Sequence, residues 1–251
     1  MSNNQARGPA LTKTLIAAYY ANPVQRSSRV REMFNRTARH YDAANRVFSL
    51  GSGAIYRRIC LRWAGLKPGM QVLDVAVGTG LLAREMVAIT RDAGAITGID
   101  VSESMLAIAR EKLGLKLIQA AAESLPLADA SIDFLAMGYA LRHIADIQAA
   151  LREALRVLRP GGTIVLLEIS APRKKLGRAL AAAYIGGIVP VLSLLTTRDA
   201  QARTLMRYHW ETIVNYMPPE AVLEAITESG FASVKRWSEL DLFHCFVGRK
   251  R

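Results

Sequence analysis

Val72-Leu73-Asp74-Val75-Ala76-Val77-Gly78-Thr79-Gly80 reads as an apolar strand running straight into a glycine turn, and a second apolar strand ends downstream at Asp100. Small residues at the carboxyl edge of a buried strand let backbone amides approach a ligand closely, and an acid closing the next strand can take both hydroxyls of a ribose. The pair predicts a ligand that carries adenosine.

Spacing selects among such ligands. A dinucleotide fingerprint, G-x-G-x-x-G, sets its glycines for a pyrophosphate docked on a helix N-terminus. Here the run from Asp74 is Asp-x-Ala-x-Gly-Thr-Gly, with Ala76, Gly78 and Gly80 at the small positions and an acid already inside the strand. That carboxylate repels a pyrophosphate, organises the turn amides and faces a cationic amino acid. S-adenosyl-L-methionine, with its ammonium and sulfonium, fits.

A chain of 251 residues that is 51% hydrophobic can bury one full α/β core and still carry an appendage. Cys60 and Cys245 have neither CxxC spacing nor a disulfide-framework count, which predicts free thiols in a reducing compartment. The opening residues lack the apolar stretch of a secretory signal, so the expectation is a cytoplasmic protein. Charge is unevenly spread: residues 1–70 hold twelve Lys and Arg against Glu32 and Asp42, within a net charge of +12. Such a segment suits an anionic membrane surface, peripheral on its inner face, or else is a solvated helical face. Nucleic acid is disfavoured because no aromatic residues interleave with the charges as in a stacking platform. A homodimer stays open.

Strands are expected at residues 71–76, 96–100, 116–119, 132–137 and 163–169, with helical patterns between them. Leu81–Thr90 follows the glycine turn, Ser102 caps a helix through Leu113, and Ile147, Leu151, Ala154, Leu155 and Leu158 recur at helical spacing before Arg-Pro-Gly-Gly stops it. This alternation predicts a parallel sheet with helices on both faces. A helix from Pro219 to Ser229 and strands at 234–237 and 242–247 then make a mixed, hairpin-like edge. Residues 1–65 form an N-terminal helical layer outside the 66–251 domain, and residues 171–217 insert into that domain before the last helix. Ala179–Thr197 carries no charge over nineteen positions, long enough to suggest a membrane span. Gly186, Gly187 and Pro190 interrupt it, and a span there would separate the last strands from their sheet. A lid over an apolar substrate is preferred, with an ordinary core helix pair as the alternative.

The run Arg156-Val-Leu-Arg-Pro-Gly-Gly-Thr-Ile-Val-Leu-Leu-Glu168-Ile-Ser170 closely resembles the second signature of the ubiquinone/menaquinone biosynthesis C-methyltransferases, with Arg159 at a lysine position. Tyr41-Asp42-Ala-Ala-Asn45-Arg-Val-Phe-Ser49 matches the first signature, which then breaks at Gly53 (histidine in the family) and Tyr56 (tryptophan). Ala-Leu-Arg-His at 140–143 stands at the family's Gly-Leu-Arg-Asn. The resemblance covers about residues 30–250. It implies a class I methyltransferase fold, Rossmann-like with a seven-stranded, mostly parallel sheet, S-adenosyl-L-methionine as donor, and a polyprenyl benzoquinol or naphthoquinol as acceptor. Thr79 and Asp100, with Val101 beside it, match the family's cofactor contacts. Ala121 replaces the polar residue that reads adenine, Ala122 matches, and Gly138 replaces a serine, leaving backbone amides at Ala122 and Glu123 to serve. Met105 is placed on the adenine face or in the core.

Methyl transfer from a sulfonium is an in-line displacement with an activated donor, so the protein chiefly aligns the acceptor and excludes water. Methylating an aromatic carbon also needs electron density, supplied by a neighbouring phenolate once a base takes its proton. Tyr139, Arg142 and His143 follow the fourth strand, where crevice residues face the donor. Arg142 is expected to stabilise the phenolate or a base-activated water, and His143 to accept the proton. Asp42 is a further catalytic candidate, with Tyr41 and Asn45 beside it, and Tyr208, His209 and Trp210 are expected as an aromatic acceptor wall. The four histidines lack metal-ligand spacing, so no metal is expected. Two other readings remain: methylation of another aromatic or polyketide-like small molecule, suggested by the broken first signature, and a non-catalytic cofactor-binding subunit.

Overall fold

The computed structural model describes residues 23–251, so residues 1–22 of the basic segment, with Arg7 and Lys13, lie outside it, as do the side chains of Arg26 and Arg29. Two helices come first, α1 (Pro23–Ser49) and α2 (Gly53–Trp63). The alternating core follows as β1 (Val72–Val75), α3 (Leu81–Thr90), β2 (Ile96–Asp100), α4 (Glu103–Lys112), β3 (Lys116–Gln119), β4 (Ile132–Gly138), α5 (Ile147–Val157) and β5 (Leu158–Ile169). After the insert come α9 (Pro219–Glu228), β6 (Ala232–Glu239) and β7 (Phe243–Arg249). The seven strands lie in the order β3-β2-β1-β4-β5-β7-β6. β7 runs antiparallel between β5 and β6, the mixed edge expected from the short link between the last strands. One boundary differs from the sequence reading. Ile132 pairs with Leu158 ahead of a register shift, so β5 starts at Leu158 and carries Arg-Pro-Gly-Gly inside it.

β1 is buried at every position, as a strand covered on both faces must be. On one face Leu73, Leu135, Leu151 and Phe246 pack together, and on the other Leu61, Met86, Ile96 and Phe134. Burying each such side chain is worth about 1.5–3 kcal/mol. Cys60 and Cys245 are free and fully buried in the second layer, where the neighbouring Cys60 thiol and burial push the Cys245 thiol upward.

The insert forms α6 (Lys175–Ala181), a π-helical turn (Ala182–Ile188), α7 (Val189–Thr197) and α8 (Ala200–Val214). Gly186, Gly187 and Pro190 do not break the run as the sequence reading supposed. A π turn precedes Pro190, one way a continuous helix accommodates a residue without an amide hydrogen. A Cβ on Gly186 would come within 2.8 Å of Trp210, so glycine permits that close approach. Ala181 and Ile185 pack with Phe48, Ile213 and Phe243, whereas Leu176, Leu180, Ile188 and Leu195 are exposed. One face of the insert is therefore packed against the core and the other is exposed.

Candidate active site

Strand order reverses beside β1, and the loops after β1 and β4 open there into the crevice where α/β sheets bind ligands. The glycine turn is strained by design: Ala76 has φ +57°, and Gly78 and Gly80 have +55° and +86°. At Gly80 the positive φ favours glycine and a Cβ would also meet the tip of Leu113 at 2.4 Å, whereas Gly78 faces open space. Its amide donates to Asp100 Oδ2 at 2.8 Å, and the Ser102 amide donates to Oδ1 at 2.8 Å. Each Asp100 oxygen keeps a lone pair for a ligand hydroxyl. Burial raises the Asp100 pKa, partly offset by the amides of Ser102, Gly78 and Val101. Ser102 caps α4 by accepting from the Met105 amide at 3.2 Å and donates to Asn35 of α1 at 2.6 Å.

A cavity of about 410 Å³ opens over this turn. Asp100, Val101, Met105, Ala121, Ala122, Glu123 and Gly138 line it, with Phe34 of α1 closing one side. The Glu123 carboxylate accepts from the amides of Ala145 at 3.1 Å and Asp146 at 3.4 Å, tying two loops of the wall together. At Gly138 a Cβ would press on Leu82 at 3.1 Å, a physical reason for glycine where a serine was expected.

A second cavity, about 380 Å³, lies on the other side of Tyr41 and Tyr139, which line both. Its walls include Asn45, Phe48, Tyr56, His209, Trp237 and Phe243. Tyr139 sits at φ +61°, an outlying conformation for a bulky residue at the junction of the two cavities. Arg142 lines the second cavity and is itself buried, its Nη1 2.8 Å from Glu168 Oε2, while Glu168 Oε1 accepts from the Leu141 amide at 2.8 Å. Burial pushes the Glu168 pKa up and the Arg142 charge pulls it back. Burial likewise raises Tyr41, against the Arg142 charge.

The histidines separate. His143 lines the first cavity, with Nδ1 2.9 Å from the Tyr208 hydroxyl and the two rings stacked. His209 lines the second, its Nε2 buried without a partner, and burial together with Arg142 lowers its pKa to about 3. Tyr208 stands behind His143, and Trp210 packs with Ile185 and Phe243. His244 is held between Ser170 and Ser238, both at 2.8 Å. Among the described residues, no three His, Cys, Asp or Glu side chains are grouped to hold a metal.

Asp42 lies apart from the second cavity. Its Oδ1 accepts from Thr79 Oγ1 and its Oδ2 meets Lys112 Nζ, both at 2.5 Å, fastening α1 to the glycine turn and α4. Asp74 is 1% exposed, and among the described residues neither oxygen has a hydrogen-bond partner. The Ala83 amide, outside hydrogen-bond geometry, pulls its pKa down only partly against burial and the Asp100 charge, which raise it well above the usual range.

Two participants went unread in the sequence. Glu168 stood in the quoted signature as an acid near the end of a strand, a usable signal. Arg57 was one arginine among many in the basic segment; only Gly53, one helical turn earlier, hints at it, since a Cβ there would lie 3.3 Å from Arg57 Nη1.

The family model for the ubiE/COQ5 methyltransferase family matches residues 23–241. A ubiquinone/menaquinone biosynthesis C-methyltransferase UbiE of Shewanella woodyi is 34% identical over 218 residues, covering 84% of this chain and 86% of that protein. The protein of the same name from Pseudomonas putida is 32% identical over 240 residues, 92% of this chain and 93% of its own length. Among solved structures, a SAM-dependent methyltransferase of Thermotoga maritima aligns with a TM-score of 0.62 at 21% identity, covering 88% of this chain and 99% of that one, which shows the shared fold. With the seven-stranded sheet, the glycine turn and matches across nearly the whole described length agreeing, the chain belongs to the ubiE/COQ5 methyltransferase family.

Proposed function

We propose that this chain transfers a methyl group from S-adenosyl-L-methionine to a ring carbon of a polyprenyl benzoquinol or naphthoquinol. The observation that carries the reading is the pair of cavities meeting at Tyr41 and Tyr139, one shaped around Asp100 and the glycine turn, the other apolar and aromatic with a buried guanidinium. The UbiE relatives, named for C-methylation in quinone biosynthesis, support it. The donor site fits its ligand: Asp100 keeps accepting capacity for a ribose, Gly78 leaves the turn open, and Met105, Ala121 and Ala122 offer a flat apolar wall. Once bound, S-adenosyl-L-methionine supplies a methyl group already activated by its sulfonium.

The chain's own part is placement and charge. Glu168 fixes the Arg142 guanidinium, which stabilises the phenolate of an acceptor ring inside a buried cavity where such charge interactions are strong. His143, held by Tyr208 on the donor side of the junction with its ring 6.3 Å from that of His209 in the acceptor cavity, accepts the ring hydroxyl proton across that junction. Asp42 acts as a latch, since both its oxygens are engaged. His209 Nε2 is a neutral acceptor for a second ring hydroxyl. Tyr41, Asn45 and Tyr139 shape the junction.

A second reading, methylation of another aromatic or polyketide-like compound, is favoured by one observation: Gly53 and Tyr56, where the first signature breaks, both line the acceptor cavity. Incubation with methyl-labelled donor separates the two. Label entering a demethyl-quinol in detergent supports the quinol, and label entering only soluble phenols ends that assignment.

For a lipid acceptor the chain works at a membrane, and the insert is the surface we assign to it. Leu176, Leu180, Ile188 and Leu195 are exposed on its outer side. Lys174, Lys175, Arg178 and Arg198 flank that side without an acid partner among the described residues, whereas Arg173 beside them is paired with Glu220. Apolar side chains beside unopposed cations suit an anionic bilayer surface. In α1 and α2, Arg36, Arg39 and Arg58 are instead engaged with Glu32, Asp199 and Glu85.

A further inference from the structure

The acceptor cavity changes character between its buried lining and its exposed one. Arg57, Arg142 and His209 line it as buried polar groups, and Arg57 Nε and His209 Nε2 have no hydrogen-bond partner among the described residues. Ile55 and Ile59 of α2 line it too, yet are 63% and 47% exposed, so the cavity opens to the surface past them. They lie one helical turn apart, and Trp63, 44% exposed, continues the same face a turn later. Aromatic rings run alongside. Phe243, Tyr56 and Trp237 line the cavity; Tyr56 stands 5.5 Å from Phe243 and 5.7 Å from Trp237, and Trp237 stands 6.2 Å from Trp63. These ring contacts lead from the cavity to the exposed indole without a break. Arg58, which could interrupt the stripe, is drawn to Glu85 of α3 at 2.7 Å. Apolar side chains exposed singly mean little, but a contiguous set that continues a cavity marks a binding surface.

We propose that the strip from Phe243 and Tyr56 past Ile55, Ile59 and Trp237 to Trp63 holds the first isoprene units of the acceptor's own tail. The inference rests on the quinol reading above and gives it a direction. An amphiphile in such a cavity sets its oxygens against the buried cations and its hydrocarbon where apolar walls run out to solvent. From Ile55 to Trp63 the helix rises about 12 Å, room for a short run of units, so the rest of a long tail lies beyond the protein. Continuity with the cavity is what gives the strip to the tail rather than to the bilayer or a second copy. The open side chains of the insert, Leu176, Leu180, Ile188 and Leu195, line neither cavity.

Steady-state kinetics with demethyl-quinols carrying no tail, a single isoprene unit or several, at one fixed detergent concentration, test the strip. A tail bound away from the reacting carbon is held equally in the ground and transition states, so it lowers KM and leaves kcat level. In the unaltered chain KM falls with the first units and then levels off as the strip fills. Ile55→Gln with Ile59→Gln keeps good helix formers on α2 and lowers the kcat/KM preference for tailed over tailless quinol about tenfold or more, through KM. Trp63→Gln removes only the gain from the outer units. Equal KM for tailed and tailless quinols in the unaltered chain, or an unchanged preference in variants that keep donor affinity, overturns the assignment. So does loss of vesicle sedimentation or of self-association in those variants with tail dependence intact, which gives the strip to the bilayer or to a second copy. If no quinol of any tail length is methylated, the quinol reading itself fails.

Discussion

At the residue scale, activity turns on how buried charges are held. Glu168 touches no reacting atom in this account; it anchors Arg142 with one oxygen and the Leu141 amide with the other. Glu168→Gln keeps the shape and removes the charge, so kcat should fall roughly tenfold or more through misplacement of the guanidinium, while calorimetric affinity for S-adenosylhomocysteine stays level. His143→Asn should lower turnover and change its pH profile; unchanged kinetics would remove His143 from the proton path. Asp74 gives a pH signature of its own. Burial raises its pKa in the unliganded chain, and an arriving ammonium favours the charged form, so binding expels a proton. Affinity for S-adenosylhomocysteine should therefore fall as pH drops through that raised pKa, with Asp100 contributing in the same sense. Asp74→Asn should flatten most of the slope, measured by calorimetry across a pH series.

At the scale of elements, α1 forms a wall of both cavities. It is pinned to the core by Asp42 on Thr79 and Lys112, and by Asn35 on Ser102. Asp42→Asn should loosen α1, speeding amide exchange along it by about fivefold for a loss near 1 kcal/mol, with slower exchange restored by saturating donor. Most elements were legible because periodicity and punctuation agreed: apolar runs ended by glycine turns, and Ser102 at a helix start. The exceptions have physical causes. β5 runs through Arg-Pro-Gly-Gly because a register shift between Ile132 and Phe134 of β4 accommodates it. The insert stays helical through Gly186, Gly187 and Pro190 because a π turn and Trp210 take up what local propensity counts against.

For the whole molecule, the donor half of the site was written locally, in one strand, one turn and one acid, and could be read directly. The acceptor half is assembled from α1, α2, α8 and the last strands, whose mutual placement no local pattern records. So His209 was anticipated at a wall, while its lining a different cavity from His143, 6.3 Å away ring to ring, was not, and Arg57 was lost among surface charges. The insert's packed face meets Phe48, Ile213 and Phe243 of the acceptor cavity's wall, and its other face is open. Leu180→Glu with Leu195→Glu should reduce sedimentation with anionic phospholipid vesicles about tenfold or more, at about 1 kcal/mol or more for each leucine that no longer enters the bilayer, and leave donor affinity intact; equal sedimentation would place the membrane-binding surface elsewhere. The most direct test of the central claim is the position of the transferred methyl. Nuclear magnetic resonance of the product made from ¹³C-methyl donor and a polyprenyl demethyl-quinol should show the label bonded to a ring carbon, and label on oxygen, or none on the quinol, would contradict the account.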